Sequence, residues 1–184
     1  MVRGKNVTVI NFYGGPGSGK STAAAGLFYK MKLGGYSVEL TDEFAKECVW
    51  ENNVPMLADQ LYILAHQHRK ILRLADKVDY IITDSPVLLS PIYREKYGEA
   101  LYSDNIDKMA LECYKLYPRN INFMLTRPEQ SFDQRGRAQD LEESLDIDRE
   151  IEEQFDALNI GYVKLTNHLQ NAEAAFQHIT NSLL

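Results

Sequence analysis

Eight residues near the start of the chain, Gly14 to Ser21, match the pattern G-x-x-x-x-G-K-[ST] in full. The run before them, Val7–Tyr13, is mostly apolar and rich in β-branched and aromatic residues, which predicts a buried strand. A helix is predicted from Lys20 to about Leu33, where Gly34-Gly35 ends it. A strand, a glycine loop and a helix in this order are typical of a phosphate-binding loop (P-loop).

The chemistry of phosphate binding explains the residue types in this loop. Glycines let the backbone curl until successive N–H groups point at phosphate oxygens, and the helix that starts there adds its positive end. A lysine at position 20 reaches the β- and γ-phosphates, and the hydroxyl of Ser21 binds Mg²⁺. We therefore predict an ATP site that uses Mg²⁺. The predicted ATP-binding residues are Gly15, Gly17, Ser18, Gly19, Lys20, Ser21 and Thr22, with Arg127 further along the chain.

Short apolar segments alternate with helical periodicity along the rest of the chain. Strands are predicted at 36–41, 78–83, 121–126 and 162–165, and helices at about 42–53, 59–75, 105–117, 141–158 and 172–184. Pro55 is interpreted as a helix breaker, and the acidic helix 141–158 as a solvated face. Such alternation gives a parallel sheet with crossover helices on both faces. The predicted fold is a three-layer α/β/α P-loop NTPase fold with a five-stranded parallel sheet, one domain over 1–184, and an arginine-bearing lid at about 128–145.

Composition restricts the class of protein. No stretch of the sequence approaches the roughly 18 consecutive apolar residues that a membrane span needs, and the N-terminus lacks the features of a signal peptide. Cys48 and Cys113 are far apart and show no metal-binding spacing, so we expect buried free thiols in a cytoplasmic protein. We expect no membrane partner.

Charge is unevenly distributed along the chain. Residues 126–153 hold four arginines and ten acidic residues, whereas the rest of the chain holds 16 basic and 16 acidic residues. A protein that binds a duplex normally shows a basic stripe, and none is visible in this sequence. A small molecule is therefore the favoured partner, and nucleic acid is the less favoured one.

Acidic residues follow two of the predicted strands, where ligands of a parallel sheet bind. Asp84 ends the strand Ile81–Thr83 and is predicted to hold Mg²⁺, although an Asp before Ser-Pro also suits a turn. Asp42 and Glu43 follow the second strand, and one of them is predicted to take the proton of the acceptor. Both would also stabilise a helix N-terminus without any catalytic role, so the residues alone do not choose between them.

Three arginines follow the fourth strand, at positions 127, 135 and 137. Guanidinium groups can close over a transferred phosphoryl group, and the glycine between Arg135 and Arg137 suits a mobile lid. Alternatively, they pair with the acids of the following helix. The predicted catalytic residues are Lys20, Asp42, Glu43, Arg135 and Arg137.

On these residues the chain resembles the nucleoside and nucleotide kinases among P-loop proteins, small members of which occur in phage genomes. The run Phe123–Glu129, followed by Arg135-Gly136-Arg137 and Glu142, is similar to the deoxynucleoside kinase pattern. The stretch Thr41–Glu47 is similar to the turn after the second strand of ribosylnicotinamide kinases. The resemblance implies an ATP and Mg²⁺ site at Lys20-Ser21, a lid that contains both arginines, and a base at Glu43.

The acceptor side departs from the deoxynucleoside kinase pattern. Those enzymes usually carry Glu-Arg-Ser after the third strand, where this chain has Asp84-Ser85-Pro86, so Arg94 is a candidate substitute for the missing arginine. Gln60 or Gln67 is a candidate for a hydrogen bond to an acceptor base.

The sequence predicts an ATP- and Mg²⁺-dependent kinase that phosphorylates a nucleoside, a nucleotide or a related small acceptor. Two alternatives stay open: a kinase that modifies DNA at a 5′ end or a hydroxymethylated base, and an ATPase without an acceptor. The sequence leaves open the acceptor, the preferred donor and whether the chain forms a homodimer.

Overall fold

A parallel sheet of five strands lies at the centre of the molecule. The computed structural model describes residues 6–97, 103–126, 140–167 and 169–182. The strands are β1 (Thr8–Tyr13), β2 (Val38–Thr41), β3 (Tyr80–Thr83), β4 (Arg119–Leu125) and β5 (Val163–Leu165). They lie in the order β2-β3-β1-β4-β5, and all four pairings are parallel. The predicted five-stranded parallel sheet is confirmed, with β1 at its centre.

Eight helices are formed by the described residues. They are α1 (Lys20–Leu33), α2 (Phe44–Trp50), α3 (Val54–Ala58), α4 (Gln60–Leu72), α5 (Leu89–Tyr97), α6 (Ser103–Lys115), α7 (Leu141–Leu158) and α8 (Asn171–Asn181). The bounds of α1 and α7 are those predicted, whereas α3 and α5 were not predicted. Pro55 does not break a helix but lies in the first turn of α3, where its missing N–H removes no helical hydrogen bond.

Two hydrophobic clusters cover the two faces of the sheet. One joins the sheet to α1 and α8, and its members include Ile10, Phe12, Leu27, Met31 and Ile179. The other joins the sheet to α4, α5, α6 and α7, and its members include Val9, Tyr13, Ile106, Ile151 and Phe155. All six residues of β1 are buried, because successive side chains of a central strand enter opposite clusters. The three-layer α/β/α arrangement is confirmed.

Helix α7 is not the solvated element that its acidic sequence suggested. A capping box starts it: the Glu143 N–H donates to Asp140 Oδ1 and the Asp140 N–H donates to Glu143 Oε2, both at 2.9 Å. Its buried residues recur at helical spacing and are Ser144, Ile147, Ile151 and Phe155. This stripe packs on the sheet and fixes the helix beside β4, so the prediction of a solvated helix was wrong for one of its faces.

Both cysteines are free thiols, as predicted. Cys48 is buried and Cys113 is half-buried. Burial raises the pKa of both thiols, with nearby glutamates adding to the shift, so neither is an activated nucleophile. Across the part of the chain that the structure covers, every helix is too short or too polar to cross a bilayer.

Candidate functional site

The glycine loop joins β1 to α1, as predicted. Gly14, Gly17 and Gly19 have φ angles of 137°, 84° and 93°, which residues with side chains rarely adopt. A Cβ atom at Gly14 would also lie 2.6 Å from Ser18 Oγ and 3.2 Å from the carbonyl oxygen of Leu125. The loop therefore requires glycine at position 14 for both its backbone angle and its space.

The N-terminal end of α1 has the features of an anion site. Gly19 is its N-cap, and within the described residues no side chain caps this end and no acidic residue lies in its first turn. Ser18 is fully buried, and its Oγ has no hydrogen-bond partner among the described residues. Backbone N–H groups and the helix dipole attract anions here. A phosphate group in the loop would supply the acceptor oxygens for these donors.

Lys20 lies inside the loop. Its Nζ donates to the carbonyl oxygens of Gly14 at 2.6 Å and Gly15 at 3.1 Å, and only 8% of the residue is exposed. The next residues, Ser21 and Thr22, are exposed in the first turn of α1. The predicted phosphate-binding lysine and Mg²⁺-binding hydroxyl are thus neighbours at one end of the sheet.

A carboxylate from a distant part of the chain contacts the loop. The backbone N–H of Gly15 donates to Oδ1 of Asp148, which lies 133 residues further along, on α7. Asp148 also borders a cavity of about 510 Å³ between the end of β4 and α7, together with Leu125, Thr126 and Leu145. Sequence reasoning missed Asp148, because nothing in a run of alternating acids distinguishes this one from its neighbours.

Asp84 lies where the sequence placed it, directly after β3. Because β3 pairs with β1, Asp84 and the glycine loop share one edge of the sheet. The residue is 6% exposed, and its Oδ1 has no hydrogen-bond partner among the described residues. Mg²⁺ takes oxygen ligands and, beside phosphates, needs only one or two from the protein. Asp84 and Ser21 therefore fit Mg²⁺, and the described residues hold no group of three or more His, Cys, Asp or Glu that would form a separate metal cage.

Asp42 follows β2 and is held by a lysine from α4. Lys70 Nζ lies 3.0 Å from Asp42 Oδ1 and 3.2 Å from the Asp42 carbonyl oxygen. The hydrogen bond from Lys70 is the main reason that the pKa of Asp42 lies below its usual value, and the charges of Lys70 and Arg73 act in the same direction. Asp42 is thus fixed as a carboxylate at the same edge as Asp84.

Glu43 is the N-cap residue of α2, and no capping hydrogen bond from its side chain is found within the described residues. The following residue, Phe44, stacks on His66 with a centroid distance of 3.8 Å and meets Tyr62 edge-on at 5.6 Å. An aromatic group therefore borders the turn that carries both acidic candidates.

The other acceptor-side candidates are engaged within the protein. Gln67 is buried, and its Nε2 donates to the Asp42 carbonyl oxygen at 3.3 Å and to Thr83 Oγ1 at 3.4 Å. Gln60 Nε2 donates to the carbonyl oxygen of Leu57 at 2.7 Å. Arg94 forms a two-contact ion pair with Asp107, at 3.2 and 3.1 Å, that joins α5 to α6. It is therefore part of the helix packing in this structure.

The predicted lid arginines, Arg135 and Arg137, lie outside the described residues, and so does Arg127, which was predicted to bind ATP. Their roles stay predictions. The predicted lid range of 128–145 overlaps the first residues of α7, which begins at Leu141.

Comparison with known proteins agrees with the fold. A family model described as AAA domain matches residues 9–172. No curated protein gives a significant match. The crystal structure of NadR protein in complex with NR superposes with a TM-score of 0.74 at 13% identity, covering 96% of this chain and 51% of that one. NadR protein in complex with NAD and AMP-PNP gives a TM-score of 0.69 at 12% identity, covering 94% and 49%. The chain spans about half the length of these NadR chains, and the likeness shows a shared fold.

Proposed function

The chain belongs to the AAA domain family, and on that premise we propose that it is an ATP- and Mg²⁺-dependent kinase. It transfers the γ-phosphoryl group of ATP to a hydroxyl or phosphate of a nucleoside, a nucleotide or a related small acceptor. The observation that carries this proposal is the row of groups along one edge of the sheet. The glycine loop follows β1, Asp84 follows β3, and Asp42-Glu43 follows β2, in the order in which the strands pair.

The spacing of these groups suits transfer between two small molecules. Adjacent strands lie about 4.8 Å apart, so the end of β2 is roughly 10 Å from the end of β1 across two strand spacings. A carboxylate at that distance is beyond the phosphates held by the loop but within reach of an acceptor beside them.

Different residues are proposed to bind the phosphates, to hold Mg²⁺ and to accept the proton of the acceptor. The N–H groups of the loop and the Nζ of Lys20 neutralise the β- and γ-phosphates. Mg²⁺, held by Ser21 and Asp84, would draw charge from the same phosphate oxygens. The acceptor oxygen forms a bond to the γ-phosphorus as the bond to the ADP oxygen breaks, and its proton passes to a carboxylate at the end of β2. Arg135 and Arg137 are proposed to close over the transferred group.

The structural neighbours support the same reading. One NadR structure holds NR, and the other holds NAD together with AMP-PNP, an analogue of ATP. This chain matches about half of each NadR chain, and those proteins bind such ligands. Nucleosides and dinucleotide precursors are therefore included among the acceptors to be tested.

The test is the turnover of ATP to ADP with Mg²⁺ across a panel of nucleosides, nucleoside monophosphates, nicotinamide riboside and DNA that carries modified bases. We expect strong stimulation by one class of small acceptor and a phosphorylated product. The variant Lys20→Ala should lose about 100-fold or more of this activity. Stimulation by DNA alone would indicate a DNA-modifying kinase, and hydrolysis independent of any acceptor would indicate an ATPase; either result would contradict the proposal.

A further inference from the structure

A buried lysine holds the turn on which both acidic candidates lie. The side chain of Lys70, on α4, is only 10% exposed. Its Nζ contacts Asp42 Oδ1 at 3.0 Å, the Asp42 carbonyl oxygen at 3.2 Å and Glu47 Oε1 at 3.5 Å. Asp42 precedes Glu43 in the chain and Glu47 follows it by one helical turn. One ammonium group therefore clamps the turn on both sides of Glu43.

Lys70 is much more deeply buried than the two carboxylates that it contacts. The side chains of Asp42 and Glu47 are 74% and 52% exposed, so water can solvate either carboxylate without the lysine. The ammonium group of Lys70 has lost most of its water and depends on these oxygens. The ring of Phe44 lies 5.9 Å from Nζ and adds a further contact with the turn. The position of the turn is thus tied to α4 through Lys70.

Helix α4 makes a second connection one turn earlier. Gln67 Nε2 donates to the carbonyl oxygen of Asp42 at 3.3 Å and to Thr83 Oγ1 at 3.4 Å. Thr83 directly precedes Asp84, the candidate Mg²⁺ ligand. Lys70 and Gln67 together hold the end of β2 at a fixed place relative to the end of β3.

The contact between Lys70 and Asp42 also distinguishes the role of Asp42 from that of Glu43. Asp42 faces Lys70 of α4 and Arg73, the residue that follows this helix, and it shares Lys70 with Glu47 of α2. The hydrogen bond from Lys70 is the largest cause of its lowered pKa. A carboxylate with a lowered pKa is a weaker proton acceptor at neutral pH. An acid that already holds a structural cation is also restricted in its movement towards a substrate.

We infer that Lys70 is a positioning residue of the acceptor site. By binding Asp42 and Glu47, Lys70 orients Glu43 towards the acceptor. This inference rests on the proposed function, because a site without an acceptor would gain nothing from a fixed turn. Lys70 acts through its neighbours and does not itself touch the reacting atoms. Its contribution is the geometry of the acceptor side, separate from the ATP side at the glycine loop.

The experiment compares Lys70→Met, Lys70→Arg and the control Arg69→Met, a neighbouring exposed cation on the same helix. Each is assayed with the acceptor that stimulates the wild type most. We expect Lys70→Met to lower kcat/KM for the acceptor about tenfold or more, Lys70→Arg to recover most of this loss, and Arg69→Met to match the wild type. The Kd for Mg-ATP, measured by calorimetry, should stay within about twofold in all three.

A second pair of variants keeps the inference testable if Lys70→Met does not fold. Glu43→Gln should lose about 100-fold or more of kcat, whereas Asp42→Asn should lose no more than about tenfold. Equal losses from both, or a Lys70→Met enzyme that behaves as Arg69→Met does, would overturn the inference. A wild type without any acceptor stimulation would instead contradict the proposed function, so the two failures are distinct.

Discussion

The carboxylate of Asp148 accepts a hydrogen bond from the backbone N–H of Gly15, so an acid from α7 lies against the phosphate-binding loop. The N–H groups of such a loop are the donors that hold phosphate oxygens. A carboxylate and a polyphosphate at the same place repel each other, and at 4 Å the Coulomb energy is about 4 kcal/mol for an effective dielectric constant near 20. A bound nucleotide would therefore compete with Asp148 for this edge of the loop.

Replacement of Asp148 by Asn should tighten ATP binding. The amide keeps the shape and an acceptor oxygen but removes the charge, so we expect the Kd for ATP to fall about three- to thirtyfold, or ~0.7–2 kcal/mol. The control is Asp146→Asn, an acid of α7 that pairs with Arg149 and borders the same cavity. Calorimetric titration with ATP would measure both. Weaker binding by Asp148→Asn would show that the carboxylate assists nucleotide binding.

Replacement of Gly14 by Ala should damage both the loop and the fold. The new Cβ would lie 2.6 Å from Ser18 Oγ at a φ of +137°, so we expect a loss of about 1–3 kcal/mol in the free energy of unfolding and a loss of ATP binding. Gly161→Ala is the matched control, since a Cβ there meets no described atom within 4 Å and should change stability by less than about 0.5 kcal/mol. Urea unfolding measures both variants. Equal free energies of unfolding for Gly14→Ala and Gly161→Ala would contradict the requirement for glycine at position 14.

Replacement of Asp84 by Asn should raise the Mg²⁺ concentration needed for activity. Loss of a charged oxygen at the proposed metal position should increase the half-saturating Mg²⁺ concentration about 10- to 100-fold while the fold persists. Asp79→Asn is a suitable control, because Asp79 is exposed at the opposite end of the same strand. Activity measured against Mg²⁺ at saturating ATP gives the result. An unchanged Mg²⁺ dependence for Asp84→Asn would remove Asp84 from the metal site.

The Asp42–Lys70 pair should give a small pH-dependent stability. The folded pKa of Asp42 lies below the ordinary 3.8, so its stabilising effect is present above that value and is lost as the pH falls through the folded pKa. The difference in unfolding free energy between wild type and Asp42→Asn should be constant above about pH 5 and shrink below pH 4. Because the carboxylate is largely exposed, the difference should stay under about 1 kcal/mol.

Glu51→Gln, a change at an exposed acid after α2, serves as the control for that titration. The difference in unfolding free energy between Glu51→Gln and wild type should not show the same dependence on pH. A wild-type advantage over Asp42→Asn that grew as the pH fell would contradict a lowered pKa for Asp42.

The sheet was largely predictable, but strand bounds depend on pairing. Strands β2 and β3 each begin two residues later than predicted, at Val38 and Tyr80. These two residues are the first pair of their shared register, so each strand starts where its neighbour does. The sequence pattern shows where an apolar segment lies. The strand itself begins only where that segment forms backbone hydrogen bonds with a neighbouring strand.

The sequence by itself determined the glycine loop, Lys20, Ser21 and the acid after β3, because their arrangement depends on backbone rules that act over a few adjacent residues. Only the tertiary structure decided which acids meet which partners. Asp148 reaches Gly15 across 133 positions, and Lys70 reaches Asp42 across 28. Both contacts follow from how α7 and α4 pack on the sheet, and packing is set by buried side chains of the whole core and not by any local pattern.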